Sequence, residues 1–169
     1  TGRHHTSFIM AGQHAFGYPQ TGYFKDRCME LNFGFLNGVM GIPAEQLTYV
    51  EDVWAMPDFS AFGPSIETCS GGLEIVNHVF MQFTKTATGY KELDVKVNDT
   101  GWGYERLVWF SQGTLTGYDA VFGKVIEWMK KKSAFKETDL FRKYATYAGS
   151  LDLSEIQDSR LHVNILLVD

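Results

Sequence analysis

Two long alternating runs separated by a turn signal constrain the fold of this chain most strongly. Residues 74–86 (EIVNHVFMQFTKT) are rich in β-branched and aromatic side chains, and residues 93–99 alternate in the same way. Thr88-Gly89 between them is typical of a hairpin turn. The sequence therefore predicts an antiparallel hairpin. Its first strand places on one face Ile75, Asn77, Val79, Met81 and Phe83, and its second strand Leu93, Val95, Val97 and Asp99.

The remaining patterns predict helices and further strands around this hairpin. From Phe24 to Val39, apolar residues recur at intervals of three and four, which is the spacing of one helix face. Gly41 is expected to end that helix, and Pro43 to open a short turn. Antiparallel strands with helices between them indicate the α+β class. We also expect strands at residues 6–11 and 47–53, loops at 15–22 and 54–72, and helices at 103–112, 117–132 and onward to about 149.

Composition narrows the class of protein. The 169 residues are enough for one domain with a core, and a hydrophobic content of 44% excludes a disordered chain. No apolar run approaches the roughly 18 residues of a membrane span. The net charge of −5 argues against binding nucleic acid over the whole surface. Cys28 and Cys69 fit no zinc motif, so we expect two reduced thiols in a cytoplasmic protein.

A carboxylate, two glycines and an arginine lie close together in the stretch DTGWGYER, at the predicted junction of strand and helix. Asp99 shares its face with apolar residues, so it requires a cation, either a ligand ammonium or Arg106. Gly101 and Gly103 remove side chains where backbone or ligand must come close. Arg106 can contact a phosphate with two donors or stack on a base. A purely structural Asp99–Arg106 pair fits the same residues.

Asn77 is a lone polar residue between Ile75 and Val79 on one face of the predicted strand. A buried asparagine needs hydrogen-bond partners. If it faces the same site as Asp99, Asn77 can bind a small polar ligand. Pairing with loop backbone is the alternative.

Taken together, six segments in order resemble the archaeal-type alanyl-tRNA synthetases, which are class II aminoacyl-tRNA synthetases. DTGWGYER is similar to motif 3 of the class. The resemblance runs from Thr1 to about Arg160 and implies an antiparallel class II sheet, flanked by helices, that binds ATP and alanine. The segments are RHHTSFIMAGQHAF, YFKDRCMELNFGF, GPSIETC, LEIVNHVFMQF, DTGWGYERLVWFSQGT and YDAVFG.

For alanine, the resemblance implies a pocket made by five residues. Trp54 would close over the substrate, and Asn77 and Val79 would form its polar and apolar walls. Asp99 would pair with the alanine ammonium, and Gly101 would leave room beside it.

For ATP, the resemblance implies three residues and a metal ion. Phe8, in the second strand of motif 2, would stack on adenine, and Met10 would line the same site. Arg106, the implied catalytic residue, would hold ATP by adenine stacking or through the γ-phosphate. Mg²⁺ would assist; its ligands are not assigned, and Glu67 is only a candidate.

The segments that resemble the family do not include motif 1 or the first strand of motif 2 with its arginine, and Ile9 stands where the family has glutamate. We therefore expect an incomplete sheet whose exposed edge is covered by self-association or by another segment. We also expect no adenylate formation by the chain alone. tRNA-Ala would contact regions mostly outside this chain.

The implied organisation has two parts. Residues 1–116 would form part of the class II catalytic core, from the second strand of motif 2 through motif 3, and residues 117–169 a helical segment leading toward the tRNA-recognition region. The expected function is alanine activation followed by transfer to tRNA. Two other interpretations stay open: a synthetase-like paralogue that only binds nucleotide or amino acid, and an unrelated α+β protein with a structural Asp99–Arg106 pair.

Overall fold

Five antiparallel strands in one sheet organise the structure. The computed structural model describes residues 4–147. The strands are β1 (Met10–Tyr18), β2 (Leu47–Ala55), β3 (Phe62–Ser70), β4 (Leu73–Thr86) and β5 (Gly89–Gly103). They lie in the spatial order β1-β5-β4-β3-β2, and each neighbouring pair is antiparallel. The α+β class with an antiparallel sheet, expected from the sequence, is confirmed.

The predicted hairpin is confirmed as β4 and β5, which pair from Thr86–Gly89 back to Val76–Trp102. Their ladder is interrupted because Met81 pairs with Val97 whereas Phe83 pairs with Glu92. Several residues of β5 therefore oppose one residue of β4, as in a bulge. The prediction that residues 93–99 share a single alternating face is consequently wrong for the residues before Val97. It is correct for Val97 and Asp99.

The structure corrects the bounds of one predicted strand and shows a second strand where a loop was predicted. β1 begins at Met10 and continues to Tyr18, so residues 15–18 are strand and residues 6–9 are not. β3 lies inside residues 54–72, which were predicted to form a loop because Gly, Pro and Ser residues are typical of loops. At Gly63 the glycine has a packing role, since a Cβ there would meet the carbonyl oxygen of Phe80 at 1.9 Å.

The helices follow the predicted order with one interruption. The helix predicted from residue 24 is confirmed as α1 (Lys25–Phe33), continued by a π-helical segment, Gly34–Val39. The helix predicted over residues 117–132 is divided at Gly123, whose φ of 48° is left-handed. Residues 148–169, which include the predicted end of the last helix, lie outside the described residues. The other helices are α2 (Tyr104–Gln112), α3 (Gly117–Phe122), α4 (Lys124–Lys132) and α5 (Asp139–Tyr147).

Helix α1 packs on one face of the sheet, called here the helix-covered face. Cys28 of α1 is fully buried, with its Sγ 3.3 Å from Oγ1 of Thr100 and 3.8 Å from Nδ1 of His78. His78 in turn lies 2.9 Å from Oγ1 of Thr68. Burial lowers the pKa of His78 to about 4. This face is a packed core with internal hydrogen bonds, built around a neutral histidine.

Contacts divide the chain into two compact units. One is Ile9–Leu107, which contains the sheet and α1. Among the described residues, the other combines residues 4–8 with residues 108–147, and in it the His5 ring lies against Tyr118 and Phe122. The functional division predicted at residue 116 stays a prediction. Across residues 4–147, no helix has both the length and the apolar character needed to cross a membrane.

Candidate substrate-binding site

Strand pairing brings four of the predicted site residues together. Val79 of β4 is directly opposite Asp99 of β5, and Asn77 is directly opposite Gly101. The two pairs are two residues apart on each strand, so all four positions lie on one face of the sheet. This is the face opposite α1. We call it the carboxylate face, because Glu67 of β3 lies on it directly opposite Asn77.

Asp99 finds its side-chain partner on β1 rather than on the helix that follows. His14 is directly opposite Asp99, and its Nε2 lies 2.8 Å from Oδ1 of the carboxylate. Both side chains remain accessible, at 44% for His14 and 41% for Asp99. The carboxylate is thus held on one side and open to solvent on another.

Arg106 does not contact Asp99 but pairs with Glu74. Its Nη1 lies 2.9 Å from Oε2 of Glu74 and 3.3 Å from the Glu74 carbonyl oxygen. The arginine stem runs over Gly103, where a Cβ would meet Arg106 Cδ at 3.1 Å. The structural Asp99–Arg106 pair, considered from the sequence, is therefore wrong, and the unrelated-protein interpretation loses the contact on which it rested.

Two glycines on this face give space to neighbouring side chains. A Cβ on Gly12 would lie 2.3 Å from Cε1 of His14, so the imidazole ring occupies that space. A Cβ on Gly101 would lie 2.8 Å from Sδ of Met10, so the thioether packs above Gly101. Gly12 and His14 are not predicted from the sequence, because the predicted strand ends at residue 11. Continued alternation from Met10 would have placed both on the same face.

Asn77 provides an unused acceptor in the site. Its Oδ1 is buried and accepts no hydrogen bond from any described residue. Pairing of this oxygen with loop backbone, the alternative considered from the sequence, is not found. A buried acceptor without a partner is costly, so a ligand donor is the chemistry that fits it.

The acidic residues beside this site affect one another. Partial burial raises the pKa of Glu67, the carboxylates of Glu74 and Asp52 raise it further, and Arg106 lowers it. A cation would relieve this repulsion, and carboxylate oxygens suit Mg²⁺. Within residues 4–147, however, no three His, Cys, Asp or Glu side chains come together to hold a metal. Glu67 thus has suitable donor chemistry without a complete protein cage.

Trp54 lies on β2 rather than in the predicted loop, and it pairs with Gly63. Alternation from Asp52, which pairs with Ser65, puts Trp54 on the carboxylate face. β2 is the edge strand, so the Trp54 backbone is two strand spacings, roughly 10 Å, from β4. The indole belongs to the same face as Asn77 and Val79 but to its periphery.

The two residues predicted to lie near adenine have different settings. Met10 is the first residue of β1, pairs with Gly103 and is 59% exposed. Phe8 precedes the strand and belongs to the other compact unit, so the predicted strand face shared by Phe8 and Met10 is wrong. Between them, Ile9 donates its backbone N–H to the Glu105 carboxylate at 3.1 Å. This contact ties the start of β1 to the first turn of α2.

A groove of about 810 Å³ lies away from the predicted residues. Met29 and Phe33 of α1 and Ile66 of β3 contribute to its walls. Ile66 pairs with His78, which places the groove on the helix-covered side of the sheet. None of the site residues predicted from the sequence lines it.

An antiparallel sheet that passes from a carboxylate through Gly-x-Gly directly into a helix is what the motif 3 resemblance predicts, and comparison with known proteins agrees. The family described as tRNA synthetases class II (A) matches residues 1–143, and the chain belongs to that family.

Within the class, the chain is similar to archaeal alanine–tRNA ligases. It is 47% identical to that of Methanocella arvoryzae over 161 residues, and 40% identical to that of Methanosphaera stadtmanae over 163 residues. The Pyrococcus furiosus protein is 38% identical over an alignment of 176 positions. These matches cover 94–95% of this chain but 18–19% of each relative. The chain spans about a fifth of the length of the curated relatives it matches.

Proposed function

We propose that the chain supplies part of the alanine-activating core of an alanine–tRNA ligase of the cytoplasm. The reaction joins alanine and ATP as alanyl-adenylate and then transfers alanine to tRNA-Ala. The observation that carries the proposal is the adjacency of the Val79–Asp99 and Asn77–Gly101 pairs on one face. They combine an anion, an unused acceptor, an apolar wall and a residue without a side chain, which are the features needed to recognise a small amino acid.

For alanine, each group has a defined part. The Asp99 carboxylate binds the alanine ammonium. The Asn77 oxygen accepts a second hydrogen bond from the same ammonium, because that oxygen has no partner among the described residues. Val79, which is 7% exposed, contacts the methyl group. Gly101 gives close approach once the flexible Met10 side chain moves aside, and Trp54 closes over the pocket from β2.

The chemical step needs no protein base. An oxygen of the alanine carboxylate attacks the α-phosphorus of ATP, a carboxylate–phosphate bond forms, and pyrophosphate leaves. Catalysis then consists of positioning and of stabilising negative charge. Holding the ammonium at Asp99 and Asn77 fixes the attacking carboxylate and contributes the positioning part.

On the ATP side, Arg106 is the proposed catalytic residue. Its side chain is 46% exposed and its guanidinium lies against Glu74, so the guanidinium can turn toward a γ-phosphate or stack on adenine. Met10 and Phe8 are proposed to line the adenine site. Mg²⁺, when bound, neutralises phosphate charge, and Glu67 would hold it together with the phosphate oxygens.

The chain by itself is proposed to be inactive. The first strand of motif 2, which would carry the arginine for the α-phosphate, is not among the segments that resemble the family, and β1 is an edge strand with Phe16 67% exposed. Self-association or another segment would cover this edge. tRNA-Ala would bind regions mostly outside this chain.

The test uses the full-length protein that its gene encodes and measures alanine-dependent ATP–pyrophosphate exchange. Asp99→Asn removes the charge that pairs with the ammonium, so we expect the alanine KM to rise by about 30-fold or more, equivalent to about 2–5 kcal/mol, with ATP binding unchanged. Asp94→Asn, at an exposed position of the same strand, is the matched control and should leave the alanine KM unaffected.

Two outcomes would contradict the proposal. An unchanged alanine KM in Asp99→Asn would remove Asp99 from the substrate site. ATP binding by the full-length protein without any alanine-dependent exchange would instead favour the paralogue that only binds nucleotide or amino acid.

A further inference from the structure

Three independent constraints fix the imidazole of His14 on the carboxylate face. Its Nε2 is 2.8 Å from Oδ1 of Asp99. Its ring fills the space that a Cβ on Gly12 would otherwise take, with Cε1 2.3 Å from that position. The Phe16 ring lies beside it, with the ring centroids 5.9 Å apart and the ring planes inclined by 40°. A side chain that is 44% exposed would otherwise be free to change rotamer.

The contact bears on the carboxylate that meets the substrate. We propose that His14 is a positioning residue for the amino-acid ammonium, acting through Asp99. This inference rests on the proposed function of Asp99. The Nε2–H of His14 donates to Oδ1, and Oδ2 is left for the ligand. No other described side chain forms an ion pair with this carboxylate.

The physical reason is preorganisation. A half-exposed carboxylate that rotates freely must be ordered when the ligand binds, and the affinity falls by that ordering cost. A cross-strand hydrogen bond orders it beforehand. An imidazole N–H can do this without adding the full competing charge that a lysine or an arginine at the same position would bring.

Gly12 is part of the same arrangement. Its lack of a side chain leaves the space that the His14 ring occupies, because all three nearest atoms to a Cβ built at Gly12 belong to that ring. A methyl group there would displace the imidazole. The effect of Gly12→Ala on substrate affinity should therefore depend on the presence of His14.

The experiment measures alanine-dependent ATP–pyrophosphate exchange in the full-length protein. His14→Ala should raise the alanine KM by about 10-fold or more, the effect typical of losing a hydrogen bond to a charged group, with kcat and the ATP KM within about twofold of wild type. His14→Gln should restore most of the affinity, because its amide nitrogen extends about as far as Nε2. His14→Asn, which is one methylene shorter, should not.

The glycine supplies a second, independent arm. Gly12→Ala should raise the alanine KM as His14→Ala does, and the double variant should be no worse than His14→Ala alone, since the two changes remove one interaction. If His14→Ala does not fold, the comparison of the Gln and Asn variants decides the question, since a role only in folding would not move the alanine KM alone.

The outcomes separate this proposal from the function on which it rests. If Asp99→Asn leaves the alanine KM unchanged, the proposed function fails and His14 has no substrate role. If Asp99→Asn raises the alanine KM but His14→Ala leaves it unchanged or lowers it, His14 is not a positioning residue, although the proposed function stands. If His14→Ala raises the ATP KM and lowers kcat by as much as it raises the alanine KM, the positioning role is likewise overturned.

Discussion

The two faces of the sheet differ in how exposed their polar groups are, although Asn32 Oδ1 of α1, on the helix-covered face, also has no partner among the described residues. On the helix-covered face, His78 and Thr100 are fully buried and bonded to neighbouring side chains. On the carboxylate face, Asp99 is 41% exposed and the Asn77 oxygen has no partner among the described residues. The first arrangement stabilises the fold, whereas the second leaves binding capacity for a ligand. Substitutions should therefore affect stability on one face and affinity on the other.

The largest expected change in stability comes from His78. His78→Ala leaves a cavity and removes the partner of Thr68, so we expect the free energy of unfolding to fall by about 4 kcal/mol. Asp99→Ala is the control from the other face and should cost less than about 1 kcal/mol. Urea denaturation measures both, and equal losses would remove the distinction between the faces.

The pH dependence of stability should follow the same histidine. Because burial lowers the pKa of His78 from 6.5 to about 4, the unfolded chain takes up its proton first as the pH falls. The stability that this group contributes is fully present above pH 6.5. It is lost as the pH falls from 6.5 to about 4, which lowers the free energy of unfolding by about 3 kcal/mol. His78→Gln should lack this component, so the difference between the two proteins should shrink with falling pH. A constant difference would mean that His78 does not titrate this way.

The two cysteines give a smaller test of the comparison. Cys28 is buried on the helix-covered face, whereas Cys69 is only partly buried, and neither forms a disulfide. Cys28→Ala removes packing and the contact with Thr100, for an expected loss of about 1–2 kcal/mol. Cys69→Ala should cost less than about 0.5 kcal/mol. A reversed order in thermal or urea unfolding would contradict the assignment of the core.

The smallest effect is expected at Val79, which tests the carboxylate face through selectivity. Val79→Ala removes two carbon atoms and so enlarges the proposed pocket, and a steric change of this kind alters discrimination by about 1 kcal/mol. The ratio of alanine to serine activation should therefore fall by roughly fivefold in the full-length protein. Met81→Ala, two residues along β4, is the control. If the ratio is the same in all three proteins, Val79 does not contact the substrate.

The sequence predicted those elements whose pattern is local. Residues 74–86 were recognised as a strand because β-branched and aromatic residues fill them, and α1 because its apolar residues keep helical spacing. β3 was missed because its Gly63, Pro64 and Ser65 are residues typical of loops. It is a strand because β2 and β4 pair with it on both sides, and that information is not in its own sequence.

The candidate site shows the same limit. Alternation correctly placed Asn77 and Val79 on one face, and Asp99 on one face of its own strand, but it could not say that β1 lies on the other side of β5. The partners His14 and Glu74 come from other strands, so spacing within DTGWGYER could not reveal them. The resemblance supplied roles for individual residues without supplying these contacts.

The short turn between β4 and β5 also has a consequence for how the site assembles. Only two residues separate Thr86 from Gly89, whereas Gln13 and Asn98, which join β1 to β5, are 85 residues apart. Hairpins form in about 1–10 μs, and closing a longer loop costs more entropy. We expect the walls that carry Asn77, Val79 and Asp99 to form early in folding. His14 would reach Asp99 only with the slow docking of β1, so the binding face is completed last at its carboxylate.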